Sequence, residues 1–139
     1  MRAMTLKTKL KPLGECKMGL THVAVRLFNS ASPNTYEADF LVDTGAMDTM
    51  APASDLKNLG IQPLGKDVYE LANGELVEYE YGNAELRFMN EIVPIRIVFG
   101  PDGCEPILGV IALEAAGFIV DPKNQRLRKL KARPLKRVA

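Results

Sequence analysis

Two segments of this chain repeat one design. Residues 40–45, FLVDTG, carry three apolar residues into an aspartate, a threonine and a glycine, and residues 52–59 then read as a short helix closed by Gly60. Residues 105–109, EPILG, lead into a second short helix over residues 110–116, closed by Gly117. Glycine just past the last helical residue supplies the left-handed conformation that ends a helix. The two turn glycines, Gly45 and Gly109, stand 64 residues apart. Such a chain is predicted to be internally doubled, and only the first copy brings an acid, Asp43, to its turn.

The rest of the pattern is that of many short strands. Thr21 to Phe28 alternates Val23, Val25 and Leu27 with Ala24 and Arg26, as a half-buried strand does. The cluster NSASPN, residues 29–34, predicts a turn, with residues 36–42 returning as the hairpin partner. Residues 68–71 and 75–81 flank Ala72-Asn73-Gly74, and Asn-Gly is the strongest short hairpin signal. Residues 84–89 and 92–99 predict a further hairpin, with Pro94 at an edge or bulge, and residues 118–120 a last core strand.

A length of 139 residues suits one core with tails. The division is a basic segment at residues 1–20, a candidate dimer contact, a domain over 21–122 and a basic tail over 123–139. Residues 122–139 hold eight basic side chains and no acid, whereas residues 18–121 hold five basic and sixteen acidic ones. A basic tail can mark nucleic-acid binding, but this one lacks aromatic residues for stacking, so a solvated end or a strand docked on acidic surface is expected, with no nucleic-acid partner. There is no apolar run of membrane-spanning length and no secretion-signal core, which predicts a cytoplasmic protein with no membrane partner. Cys16 and Cys104 are accordingly expected as reduced thiols, and neither metal nor cofactor is called for.

A carboxylate at the end of an apolar strand is costly unless it is hydrogen-bonded or does chemistry. Asp43 in a bare Asp-Thr-Gly could do no more than accept turn N–H bonds. Its context argues for more: the apolar run before it, Ala46 after it, the Asn-Gly hairpin thirty residues on and the second glycine turn.

With these elements in this order, the chain resembles the single-domain, retropepsin-like aspartic proteases over roughly residues 21–122. Asp43-Thr44-Gly45-Ala46 matches the family's catalytic motif, Asp48-Thr49 resembles the pair that often follows it, residues 71–76 fall where the family keeps its flap, and Ile107-Leu108-Gly109 matches the turn before its terminal helix. The resemblance implies an all-β, closed antiparallel barrel-like fold with one or two short helices, a homodimer, and endopeptidase activity on an extended polypeptide. Asp43 would be catalytic, supported by Thr44 and Gly45. Ala46, Met47, Asp48 and Ile107, with Ala72, Asn73 and Gly74 of the flap, would bind substrate, and apolar walls imply preference for bulky apolar residues beside the cut bond. Retroviral members pair an arginine after the second glycine with an aspartate two residues after the first; here Val110 and Met47 replace both.

Each residue also has a plainer reading. Asp48 can cap the next turn, Met47, Met50 and Met89 can fill core, Tyr79 and Tyr81 can pack a strand, and His22 has no companion that would make it catalytic. Two other functions compete: a phosphoryl-accepting aspartate with magnesium, which wants an alternating strand–helix fold, and a non-catalytic dimeric module of the same fold that binds peptides or drives assembly.

Overall fold

Alternation decides the first hairpin. In the computed structural model, which describes residues 6–8 and 21–135, with side chains from residue 21 onward, strand β1 (Leu6–Thr8) pairs with β2 (Thr21–Phe28), and β2 pairs antiparallel with β3 (Thr35–Val42) from Thr21↔Val42 to Phe28↔Thr35. Val23, Val25 and Leu27 are buried on one face while Arg26 stays exposed on the other. Strand β4 (Thr49–Pro52) feeds helix α1 (Ala53–Asn58), where Gly60 takes φ 78° just beyond the helix. The remaining elements are β5 (Gly65–Glu70), β6 (Leu76–Phe88), β7 (Glu91–Gly100), β8 (Ile107–Leu108), helix α2 (Val110–Ala116), β9 (Phe118–Asp121) and β10 (Arg126–Lys129).

The fold is mostly β-sheet with two short helices, consistent with the expected acid-protease architecture. Eight strands run in the order β1-β2-β3-β8-β4-β7-β6-β5, and β2 also pairs with β6 over three residues, so the sheet wraps a core containing Phe40, Phe88, Leu86, Ile97 and Leu113. Most pairings are antiparallel, as expected, but two are not: β3 pairs with β8, and β4 with β7, in parallel. Parallel neighbours need long crossover connections, and here these bring the two similar halves side by side. An alternating strand–helix fold, which the phosphoryl-acceptor reading wanted, is not what these elements form.

Two further expectations change. Residues 75–81 and 84–89 are not separate strands but one, β6, thirteen residues long. Gly82 within it serves close approach: a Cβ at this position would sit 2.7 Å from the Gln62 carbonyl oxygen. The turn between β6 and β7 is instead Met89-Asn90, both at positive φ (51° and 67°), the geometry of a two-residue hairpin loop. Pro94 sits where β4 does not reach, since β4 covers β7 only from Ile97 to Gly100, so it faces an open edge.

The basic stretch after Pro122 is not wholly a tail, because β10 folds back onto β9 and buries Leu127. Its cations close α2: Lys129 Nζ donates to the Ala116 carbonyl (2.7 Å), pairs with Glu91 (2.8 Å) and lies over the Phe118 ring, and Arg133 donates to the Ala115 carbonyl (2.6 Å). Cations at a helix C-terminus complement its dipole. Replacing Lys129 with Met is expected to cost about 1 kcal/mol, read as a lowered urea midpoint. Cys16 and residues 136–139 lie outside the described residues, as does the segment 1–20 apart from β1; Cys104 is a free thiol. Among the described residues no helix is long and apolar enough to cross a membrane.

Candidate active site

Strand β3 ends at Val42 because β8 begins to hold it: the Leu41 N–H donates to the Pro106 carbonyl (3.0 Å) and the Asp43 N–H to the Leu108 carbonyl (3.1 Å). The chain then turns. The Ala46 N–H donates to the Asp43 carbonyl (3.1 Å), and the Gly45 N–H donates to Asp43 Oδ1 (2.9 Å), fixing the carboxylate at the mouth of the turn. Asp43 is half-buried, whereas Thr44 and Gly45 are exposed.

The second glycine turn lies against the first. Val110 N–H donates to the Ala46 carbonyl (2.8 Å), Ile111 N–H to the Met47 carbonyl (3.1 Å), and Gly109 N–H to the hydroxyl of buried Thr49 (3.1 Å). Both turns are thereby locked as one unit. The repeat in the sequence becomes two adjacent loops, of which one carries a carboxylate and the other, Leu108-Gly109-Val110, carries none.

Beside this unit runs a cleft of about 390 Å³. Of the residues expected there, Gly45, Ala46, Met47, Asp48 and Ile107 line it, facing Val68, Tyr69 and Leu71 of the β5–β6 hairpin. Asp43 and Thr44 do not line it, nor do Ala72, Asn73 and Gly74, which form the exposed hairpin tip, with Gly74 at φ 86° and its N–H donating to the Leu71 carbonyl. Thr44 lines a separate groove of about 390 Å³ with Val110, Leu113, Phe118 and Val120. Of the two residues after Asp43, one thus lines an apolar groove and the other, Gly45, the cleft.

Such an arrangement, a carboxylate in an Asp-Thr-Gly turn at the end of a core strand and locked against a second glycine turn, fits the expected acid-protease architecture, and the aspartyl protease family matches residues 28–114. The chain belongs to the aspartyl protease family. No curated protein matches it.

Within this aspartyl protease fold several side chains fall elsewhere than expected. Met47 is no core filler, being 67% exposed at the cleft, and Met50 lines the cleft too; Met89 does pack against the core. Tyr79 lines the cleft and Tyr81 supports Arg96 rather than merely packing a strand. His22 is buried, its Nε2 2.8 Å from Glu105 of the loop before β8.

Asp48 is more than a turn cap. Its carboxylate, 9% exposed, accepts from the Tyr69 hydroxyl (3.3 Å) and lies 4.0 Å from Arg96, which also reaches Asp67 (3.4 Å). Sequence reading missed Arg96, Asp67 and Tyr69. Strands at residues 68–71 and 92–99 were expected, but nothing local shows that they face the loop after Asp43.

Burial first, and the Asp48 charge second, push the Tyr69 phenol from 10.0 up to about 12. The folded protein holds this proton more tightly than the unfolded chain. Its contribution to stability is therefore complete below pH 10.0 and is lost as the pH rises toward about 12. Ultraviolet titration of the tyrosines is expected to show the Tyr69 phenolate forming late, as burial makes that of Tyr36 do too, and Asp48→Asn moves the Tyr69 step to lower pH.

Proposed function

We propose that the protein is a homodimeric aspartic endopeptidase whose site is completed by Asp43 from a second copy. The observation that carries this reading is the pair of locked turns. One presents a half-buried carboxylate held by the Gly45 N–H, and its structural twin at Gly109 offers no acid. Peptide hydrolysis by this route needs two carboxylates sharing one proton, so within one chain the dyad is half made.

A two-fold axis beside Asp43 supplies the mate, since such an axis sets identical surfaces face to face. Exposed Thr44, at the mouth of an apolar groove, is placed to bond the partner's backbone and keep the turns in register. Two like charges at this distance cannot both ionise easily, so one proton is shared. The ionised carboxylate then takes a proton from water as it attacks the peptide carbonyl, while the protonated one gives its proton to the carbonyl oxygen. Collapse of the resulting diol breaks the C–N bond, with a proton passing to the leaving nitrogen.

An extended polypeptide would lie between the dyad and the β5–β6 hairpin, adding backbone hydrogen bonds as an extra strand does. Ala46, Met47, Asp48 and Ile107 would form its side-chain pockets, and Ala72, Asn73 and Gly74 would close over it as a flap. We place this activity in the cytoplasm, where the free thiol of Cys104 stays reduced.

Sizing tests the proposal most directly. Sedimentation of the native protein is expected to give twice the mass of one chain, and an unstructured polypeptide is expected to be cut between about pH 4 and 7. A dimer that cuts nothing would support the non-catalytic peptide-binding reading instead.

A further inference from the structure

Strand β5 is the last in its sheet. Among the described residues it pairs with β6 alone, so none of their other strands fixes its height over the cleft beside the Asp43 turn. A ribbon of two strands has little rigidity of its own. Something else must hold β5 where a peptide would find its backbone groups.

Arg96 of β7 occupies the place where such a tie is needed. Its guanidinium lies flat over the Tyr81 ring of β6, 3.5 Å from the centroid. The same Nη1 reaches Asp67 of β5 at 3.4 Å and Asp48, in the loop after the Asp43 turn, at 4.0 Å. Tyr69, two residues along β5 from Asp67, donates to the same oxygen of Asp48. Four pieces of chain thus meet at one cation.

The chemistry suits arginine. A guanidinium can set one nitrogen between two carboxylates while its planar face stacks on a ring, an arrangement that a compact ammonium matches less well. Arg96 lines the cleft, and with Nη1 turned to Asp67 and Asp48 and its face to Tyr81 the guanidinium is engaged there as a brace.

We propose that Arg96 is a positioning residue for the proteolytic reaction: by bridging Asp67 of β5 to Asp48 of the catalytic loop, it sets the β5 strand at the height where an extended peptide is bound. This rests on the endopeptidase reading above. Arg96 touches neither the reacting atoms nor the dyad. It acts through β5, and its loss is felt in substrate binding more than in the bond-breaking step.

Steady-state cleavage of an unstructured peptide and backbone hydrogen exchange, both on the full chain, test this with Arg96→Met and Arg96→Lys. Arg96→Met is expected to raise KM roughly tenfold while kcat changes by less than about threefold, and Arg96→Lys, which keeps the charge but not the fork, to recover part of that loss. Amides of residues 65–70 are expected to exchange about tenfold faster in Arg96→Met, with β2 and β3 unchanged. Asp67→Asn is expected to act in the same direction and to add little to Arg96→Met, as members of one network do.

Unchanged KM and unchanged exchange in β5 would overturn the proposal. So would faster exchange throughout the sheet, which would make Arg96 a general stabilising residue. If the wild-type protein cuts no peptide, the endopeptidase reading fails, and the tie is then judged on β5 exchange and on the affinity of the same peptide for wild type and Arg96→Met. Equal affinities would end it.

Discussion

Asp43→Asn is expected to lower kcat/KM for peptide cleavage by at least about a thousandfold while leaving the fold intact. The substitution is isosteric. The amide oxygen of asparagine still accepts from the Gly45 N–H, which holds Asp43 Oδ1 at 2.9 Å, so the turn keeps its shape. What is lost is the group that takes a proton from water, and an amide cannot replace it near neutral pH.

The same variant carries a second expectation. If two Asp43 carboxylates face each other across an axis, Asp43→Asn removes the one negative charge left on the proton-sharing dyad and with it the cost of burying that charge, and the dimer dissociates at the same or lower concentration than wild type. Sedimentation and cleavage measured on one preparation read both effects. Cleavage that persists in Asp43→Asn would mean that the wrong residue has been assigned, and a variant that is monomeric where wild type is dimeric would contradict the facing geometry.

Gly109→Ala is expected to cost about 3 kcal/mol or more, lowering Tm by roughly 10 °C. The backbone angle is not the reason, since Gly109 at φ −85° is a conformation alanine adopts freely. Contact is. An added Cβ would stand 2.5 Å from the Asp48 carbonyl oxygen, 2.6 Å from its carbon and 2.7 Å from the Met47 oxygen, all backbone atoms. These atoms cannot yield cheaply, because Val110 and Ile111 donate to the Ala46 and Met47 carbonyls and Thr49 holds Gly109 itself.

Gly45→Ala makes the contrast. Its Cβ would meet only Asp43 Oδ1, at 3.2 Å, so Tm should hold while the carboxylate shifts and activity falls. Thermal melts of the two variants side by side separate the roles. Equal melting temperatures would show that the two turns are not locked as described.

Much of the strand pattern was legible because it depends on neighbours in sequence. Val23, Val25 and Leu27 alternate with wet residues, Asn73-Gly74 sits at a hairpin tip, and Gly60 and Gly117 follow their helices. The Asp43 turn was legible for the same reason, its apolar strand and glycine being adjacent. The unity of β6 was not, since what lets the strand run on through Gly82 is its close approach to Gln62, twenty residues away. For residues 126–129 the sequence left a solvated end and a docked strand both open, and burial of Leu127 in the core decides for the strand.

The sequence by itself determined a β-rich, doubled chain with one acid at one of two glycine turns, because alternation, turn chemistry and a missing acid at Gly109 are properties of short stretches. Only the tertiary structure decided that Thr49 would clasp the second turn to the first, that Met47 and Ile107 would share a cleft with β5, and that Arg96 would join Asp48 to Asp67. These contacts connect residues dozens of positions apart, through parallel pairings whose registers depend on the whole sheet closing over one core. A side chain's partners across such distances are set by packing, which no local pattern encodes.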